Sequence, residues 1–277
     1  MNKKLIIFRS ILAMGLLGIL FSCSEDTDPL PVETDLTVVD DDVAVNQVYE
    51  DLDNFTLTVF QSLNFGGRVL NEGFDKICPG VDVTFNEEEK KITVDFGEGC
   101  TSPGGTVRKG KIVFTYNQNF LFPGAKVIAV FESYEVDGLA VQGTRTIENQ
   151  NIDIFNNRVT LKVTVTDGKV TWPDGTFVTY TTTQERVVTL NEQNGYEISI
   201  TGNASGKSRA GLDYTTTVTS PLLVTQDCVE TGVLVPSSGV MEFNYSGFNV
   251  SVDYGDGQCD KNIIITYPGG TREVTLD

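Results

Sequence analysis

The sequence predicts an all-β fold, an antiparallel meander forming a β-sandwich or a strongly curved open barrel, with one amphipathic helix on its N-terminal side. Three observations carry this. From Val81 to Leu276, apolar and polar residues alternate with period two in runs rich in Val, Ile, Thr, Tyr and Phe, which sets one face of each strand against a core. Between the runs stand the dipeptides Asp137-Gly138, Asp167-Gly168, Asp174-Gly175 and Asn194-Gly195, residues that accept the positive φ angles of tight hairpin turns. Finally, Val94-Asp95-Phe96-Gly97-Glu98-Gly99-Cys100 returns as Val252-Asp253-Tyr254-Gly255-Asp256-Gly257-Gln258-Cys259. With no helical pattern between the runs, neighbours are joined by hairpins, and about fourteen strands are expected.

At the start of the chain, Lys3-Lys4 precede a segment from Leu5 to Phe21 that is apolar apart from Arg9 and Ser10, the composition of a secretory signal peptide over residues 1–22. Its uninterrupted apolar run, Ile11 to Phe21, is short of the roughly 20 residues that span a bilayer. Leu20-Phe21-Ser22-Cys23 resembles the lipobox of bacterial lipoproteins, although Phe21 stands where a small residue is usual. The resemblance implies acylation of Cys23, palmitate being one such chain, and a membrane anchor at the first residue of the mature protein. Ser24, Glu25, Asp26 and Asp28 follow directly and resemble the acidic signal that sends lipoproteins of Bacteroidota to the outer face of the outer membrane. The surface and the periplasmic face of that membrane are the two locations in play. Residues 23–42 carry eight acids, no base and two prolines, the composition of a disordered tether.

Asp40-Asp41-Asp42 then precede Val43 to Leu63, where Val45, Val48, Leu52, Phe55 and Val59 recur three and four residues apart. This spacing predicts a helix over residues 43–66, with the acids at its N-terminus and its apolar stripe on the sheet or, alternatively, on a partner. The remainder, 67–277, is the β-domain. Its clearest strands are Ile92-Val94-Phe96, Ile112-Phe114-Tyr116, Val159-Leu161-Val163-Val165, Tyr196-Ile198-Ile200 and Ile263-Ile265-Tyr267, while Tyr180 to Thr183 and Tyr214 to Thr219 read as solvated faces or edges. The repeat defines two Cys-bounded units, about 74–116 and 224–277. The four cysteines left after lipidation allow three connectivities. The repeat favours Cys78 with Cys100 and Cys228 with Cys259, because it makes the two pairs equivalent. This layout of lipobox, acidic tether, single helix and Cys-bounded β-units resembles Bacteroidota outer-membrane and surface lipoproteins with all-β mature regions. It implies location and fold, and transfers no functional residue.

Composition narrows the chemistry. Lys3, Lys4 and Arg9 lie in the first 22 residues, leaving 17 basic against 38 acidic residues from Cys23 onward, net −21. No basic stripe exists to displace counterions from a phosphate backbone, so nucleic acid is not an expected partner. The chain has no histidine, which excludes Ser-His-Asp and Cys-His catalysis and His-ligated zinc. Asp253, Asp256 and Asp260 lack the alternate-position spacing of a calcium loop, and Gly202 to Ser208 lacks the glycine spacing of a phosphate loop; no metal or cofactor is expected. Phe120, Leu121 and Phe122 form an apolar connection between strands, and Trp172 stands beside a tight turn. Each either closes the core or contacts a partner, a glycan or a lipid. The expected function is a non-enzymatic, lipid-anchored binding or accessory module for an outer-membrane protein or a glycan. A carrier holding an apolar ligand in a concave sheet and a carboxylate-dependent enzyme are the alternatives.

Overall fold

The computed structural model describes residues 36–62, 78–191 and 195–276. Helix α1, Thr37–Ser62, is followed by β1 Asp82–Asn86, β2 Lys91–Asp95, β3 Cys100–Thr101, β4 Val107–Tyr116, β5 Lys126–Val136, β6 Leu139–Asp153 and β7 Arg158–Thr171. Then come β8 Phe177–Asn191, β9 Gly195–Lys207, β10 Asp213–Thr225, a short helix α2 Gln226–Glu230, and β11 Ser238–Tyr245, β12 Phe248–Asp256, β13 Asn262–Tyr267 and β14 Gly270–Thr275. All fourteen strands belong to one sheet. Thirteen follow chain order from β1 to β14 as antiparallel neighbours, and β3 pairs β4 off that path. The expected meander is therefore one continuous open sheet.

Alternation builds its core face. Ile92 and Val94 on β2, Ile112 and Phe114 on β4, Val163 and Val165 on β7, and Ile263 and Ile265 on β13 are all buried. The Thr-rich runs also alternate. Tyr180, Thr182, Tyr214 and Thr216 are buried while Thr181, Thr183 and Thr215 are exposed, so these runs have a core face that their composition hid.

Bulges bend the sheet. The β4–β5 register shifts between Lys109 and Lys111, where Gly110 has φ +73° and a Cβ would collide with the carbonyl of Ser133. Asp167-Gly168, expected as a hairpin turn, instead lies inside β7, where the pairing with β8 shifts between Val165 and Gly168. Its positive φ at Asp167, 51°, serves a bulge in place of a turn, because both conformations call for the same backbone region. Asp137-Gly138 does turn β5 into β6 and Asp174-Gly175 does lie between β7 and β8. Asn194 lies outside the described residues.

The repeated units form the two edges of the sheet, β1 to β4 at one and β11 to β14 at the other. In each copy the aspartate caps its own turn, with Asp95 accepting the Gly97 N–H and Asp253 the Gly255 N–H, both at 2.9 Å. Disulfides join Cys78 to Cys100 and Cys228 to Cys259, the repeat-equivalent pairing.

Helix α1 lies on the core face of the sheet. Its expected stripe of Val45, Val48, Leu52, Phe55 and Val59 is buried, joined by Val38, Val39 and Tyr49, and these side chains form one cluster with the strands. The helix begins at Thr37, so Asp40, Asp41 and Asp42 lie within it; they do not precede it, and the tether reading fails for residues 37–42. Tertiary contacts explain the difference. Asp41 accepts the backbone N–H of Arg209 at 2.8 Å, and Asp42 is 1% exposed, so this acidic run is held by the sheet. Residues 63–66, the expected end of the helix, lie outside the described residues.

Candidate functional site

Three places in the fold gather chemistry: the charged interface under α1, a row of hairpin tips, and a cavity beside the helix.

Beneath α1, three arginines on alternate strands meet three acids of the helix. Arg108 of β4 donates to Asp51 at 2.5 and 2.6 Å. Arg145 of β6 pairs with both carboxylate oxygens of Asp53, its Nε at 2.5 Å. Arg186 of β8 reaches Asp53 at 2.8 Å and Glu50 at 2.5 and 3.0 Å, and Gln184 accepts from it at 2.7 Å. The guanidinium of Arg145 also stands 5.3 Å from the ring centre of Tyr49. Burial works to lower the pKa of Arg186, but Glu50 and Asp53 outweigh it and the pKa is raised; Arg108 is raised likewise, with Asp51 opposing its burial. Each arginine is in phase with apolar neighbours on its strand, Arg108 with Ile112, Arg145 with Ile147 and Arg186 with Tyr180. A charge on an otherwise apolar face was the readable signal that sequence reasoning passed over.

Asp42, 1% exposed and the most deeply buried acid of α1, meets no guanidinium among the described contacts. Burial pushes its pKa up to about 7, opposed by the nearby Tyr214 hydroxyl and by Asn46, which donates to it at 2.8 Å. Burial raises the pKa of Tyr180, Tyr214 and Tyr254, and the carboxyl of Asp42 reinforces the effect.

The connections β4–β5 and β6–β7 leave the sheet at one end, and the last residues of β8 lie beside them, Leu190 bonded to Asn157. There stand the five most exposed large apolar side chains among the described residues: Leu121 at 63%, Phe122 at 60%, Ile154 at 77%, Phe155 at 96% and Leu190 at 53%. The tips are joined. Asn149 donates to the Phe120 carbonyl at 2.7 Å, and the Leu190 N–H reaches the Asn157 carbonyl at 2.9 Å. The tips also satisfy their own backbone, with Asn119 accepting the Leu121 N–H and Asp153 that of Phe155. The expected triplet therefore divides: Phe120 is half-buried against the core while Leu121 and Phe122 face outward. Ile154-Phe155 and Leu190 escaped sequence reasoning, although Ile154-Phe155 carries the same signal, apolar residues in a connection. Trp172 lies elsewhere, packed on the core with the Arg209 guanidinium 4.7 Å from its ring centre, so one of its faces is already taken.

The third place is a cavity of about 370 Å³ along one flank of α1, walled by the β5–β6 hairpin and the segment after α2. Among the described residues no cluster of three or more side chains has the make-up of a metal site. Cys23, Ser24, Glu25, Asp26 and Asp28 lie outside the described residues.

The fold and these sites define a class: an open antiparallel meander of fourteen strands clasping an ion-paired helix, with an apolar rim at one end. Comparison with protein-family models, with curated proteins and with solved structures finds no match.

Proposed function

We propose that this protein is a lipid-anchored, extracytoplasmic binding module of the outer membrane, without catalytic activity, that engages a protein partner through the apolar rim of Leu121, Phe122, Ile154, Phe155 and Leu190. The rim carries the reading. Exposed apolar side chains scattered singly are ordinary, but five gathered on two neighbouring hairpin tips and the adjoining end of β8 form a surface that gains by being covered.

Two further observations support it. The core face of the sheet is occupied by α1, which directs recognition to the outside of the molecule. Near its N-terminal end, α1 contacts the β9–β10 turn through Asp41 and Arg209, at the end of β9 opposite Gly195. The N-terminal end of α1 thus lies away from the rim. The two disulfides fit an oxidising compartment, and the lipobox-like Cys23 with its acidic neighbours supports the outer-membrane location, surface first and periplasmic face second.

The test is photo-cross-linking in cells from a benzoyl-phenylalanine at position 155, with position 181 on an exposed part of β8 as control. The expected result is one protein adduct, specific to position 155, whose purified protein binds the native chain and loses at least tenfold in affinity to the Phe122→Ser, Phe155→Ser double variant. Adducts to lipid or glycan alone, or equal labelling from both positions, would overturn the reading.

A further inference from the structure

Residues Ala44, Gln47, Val48 and Asp51 fall three and four apart, one stripe of α1. They face a cavity of about 370 Å³. One wall is the β5–β6 hairpin, with Val136, Asp137 and Leu139, and the other is the segment after α2, with Leu234 and Val235. These walls come from distant places in the strand order, the β4–β6 side and the β11–β13 side. The cavity is the seam where two parts of the curved sheet approach each other across the helix. Ala44, Leu139 and the exposed Leu234 add hydrocarbon surface to this lining, so an apolar ligand that expels water from it is favoured.

The polar groups narrow the ligand. Asp51 is already matched by Arg108. Asp137 and Lys261 also line the cavity, and neither is in an ion pair among the described residues. A charged head meets one like charge whichever its sign. A neutral hydroxyl or amide can accept from the ammonium of Lys261 or donate to the carboxylate of Asp137, whose Oδ1 already accepts the Val107 N–H, and meets no like charge at either. In size, 370 Å³ is room for roughly a dozen water-sized groups.

We propose that the seam cavity is a binding site for a neutral amphiphile, an apolar body of about ten carbons with a hydroxyl or amide head, a size read from the volume of a water-sized group. This assignment is independent of the rim and moves the carrier idea from the sheet's core face, which α1 fills, to the flank of the helix.

The experiment uses the full chain in its membrane and a decan-1-ol bearing a diazirine near the end of its chain, with labelled peptides mapped by mass spectrometry. Label is expected on the peptides holding Gln47 and Leu234. Excess decan-1-ol should suppress it at least tenfold more effectively than decanoate or decylamine. Filling the cavity with Ala44→Phe should reduce the label at least tenfold while the disulfides and thermal transition persist, and Gln47→Phe replaces that variant should it fail to fold. Label confined to the tips around Phe122 and Phe155, label unchanged in the filled variant, or displacement by either charged analogue as strong as by the alcohol would overturn the proposal. Because the tips are mapped separately, loss of the rim reading leaves this result intact, and the reverse also holds.

Discussion

Arg145 and Asp53, 92 residues apart in sequence, form a two-pronged ion pair that ties α1 to the middle of the sheet. The pair is buried on both sides, with side-chain exposures of 3% and 11%. Removing one partner strands the other charge in the interior, which costs about 3–5 kcal/mol, whereas replacing both with apolar groups of similar volume is near neutral. Arg145→Met and Asp53→Leu should each destabilise strongly in denaturant titrations. The double variant should recover part of the loss but stay below the native chain, because Asp53 also receives Arg186 at 2.8 Å. Additive single effects would mean that the pair is not coupled.

Asp42 makes stability depend on pH. Its carboxyl ionises near 3.8 in the unfolded chain and near 7 when folded, so between these values the folded form holds a proton that the unfolded form has released. The stability from this group is fully present below pH 3.8 and is lost as pH rises to about 7, at about 1.4 kcal/mol per unit. The exposed acids with lowered pKa, Asp95, Asp153 and Asp174, act below this window, where acid removes their contribution. Asp42→Asn should raise the melting temperature at pH 7.5 and flatten its dependence between pH 4.5 and 7. An unchanged slope would remove Asp42 from this role.

The disulfides close loops with sequence separations of 22 and 31. In the chain-entropy account, each restricts the unfolded chain by roughly 3–4 kcal/mol. Reduction should lower the melting temperature by many degrees, with Cys78→Ser/Cys100→Ser and Cys228→Ser/Cys259→Ser each reproducing part of the fall. Because the two bridges clamp opposite edges of one sheet, their effects should be additive.

Phe120 and its neighbours should separate by stability. Phe120→Ala removes core contacts and should cost about 2–4 kcal/mol. Leu121→Ser, Phe122→Ser and Phe155→Ser should each lie within about 0.5 kcal/mol of the native chain in denaturant titrations. A large loss from Phe155→Ser would make the rim a packing feature.

The proposed lipidation of Cys23 predicts partition into detergent and acyl chains on that residue by mass spectrometry, with Cys23→Ala retaining residues 1–22. Replacing Glu25, Asp26 and Asp28 with Ala should reduce protease access to the protein on intact cells. Unchanged access would leave those acids as a solvated linker.

Local chemistry by itself determined the strands, the apolar stripe of α1 and the paired cysteines. Period-two alternation, helical spacing and a repeated Asp-aromatic-Gly-acid-Gly turn each act over a few residues, and each appears in the fold at the positions it marks. Tertiary structure decided the rest. Whether Asp167-Gly168 turns or bulges depends on the register of β8, and the first turns of α1 are held by Arg209, more than a hundred residues away in the chain. The arginine row exists because one helix crosses three alternate strands, and the apolar rim because the antiparallel order brings every second connection to the same end. Such juxtapositions are properties of pairing between distant segments, which no local pattern encodes.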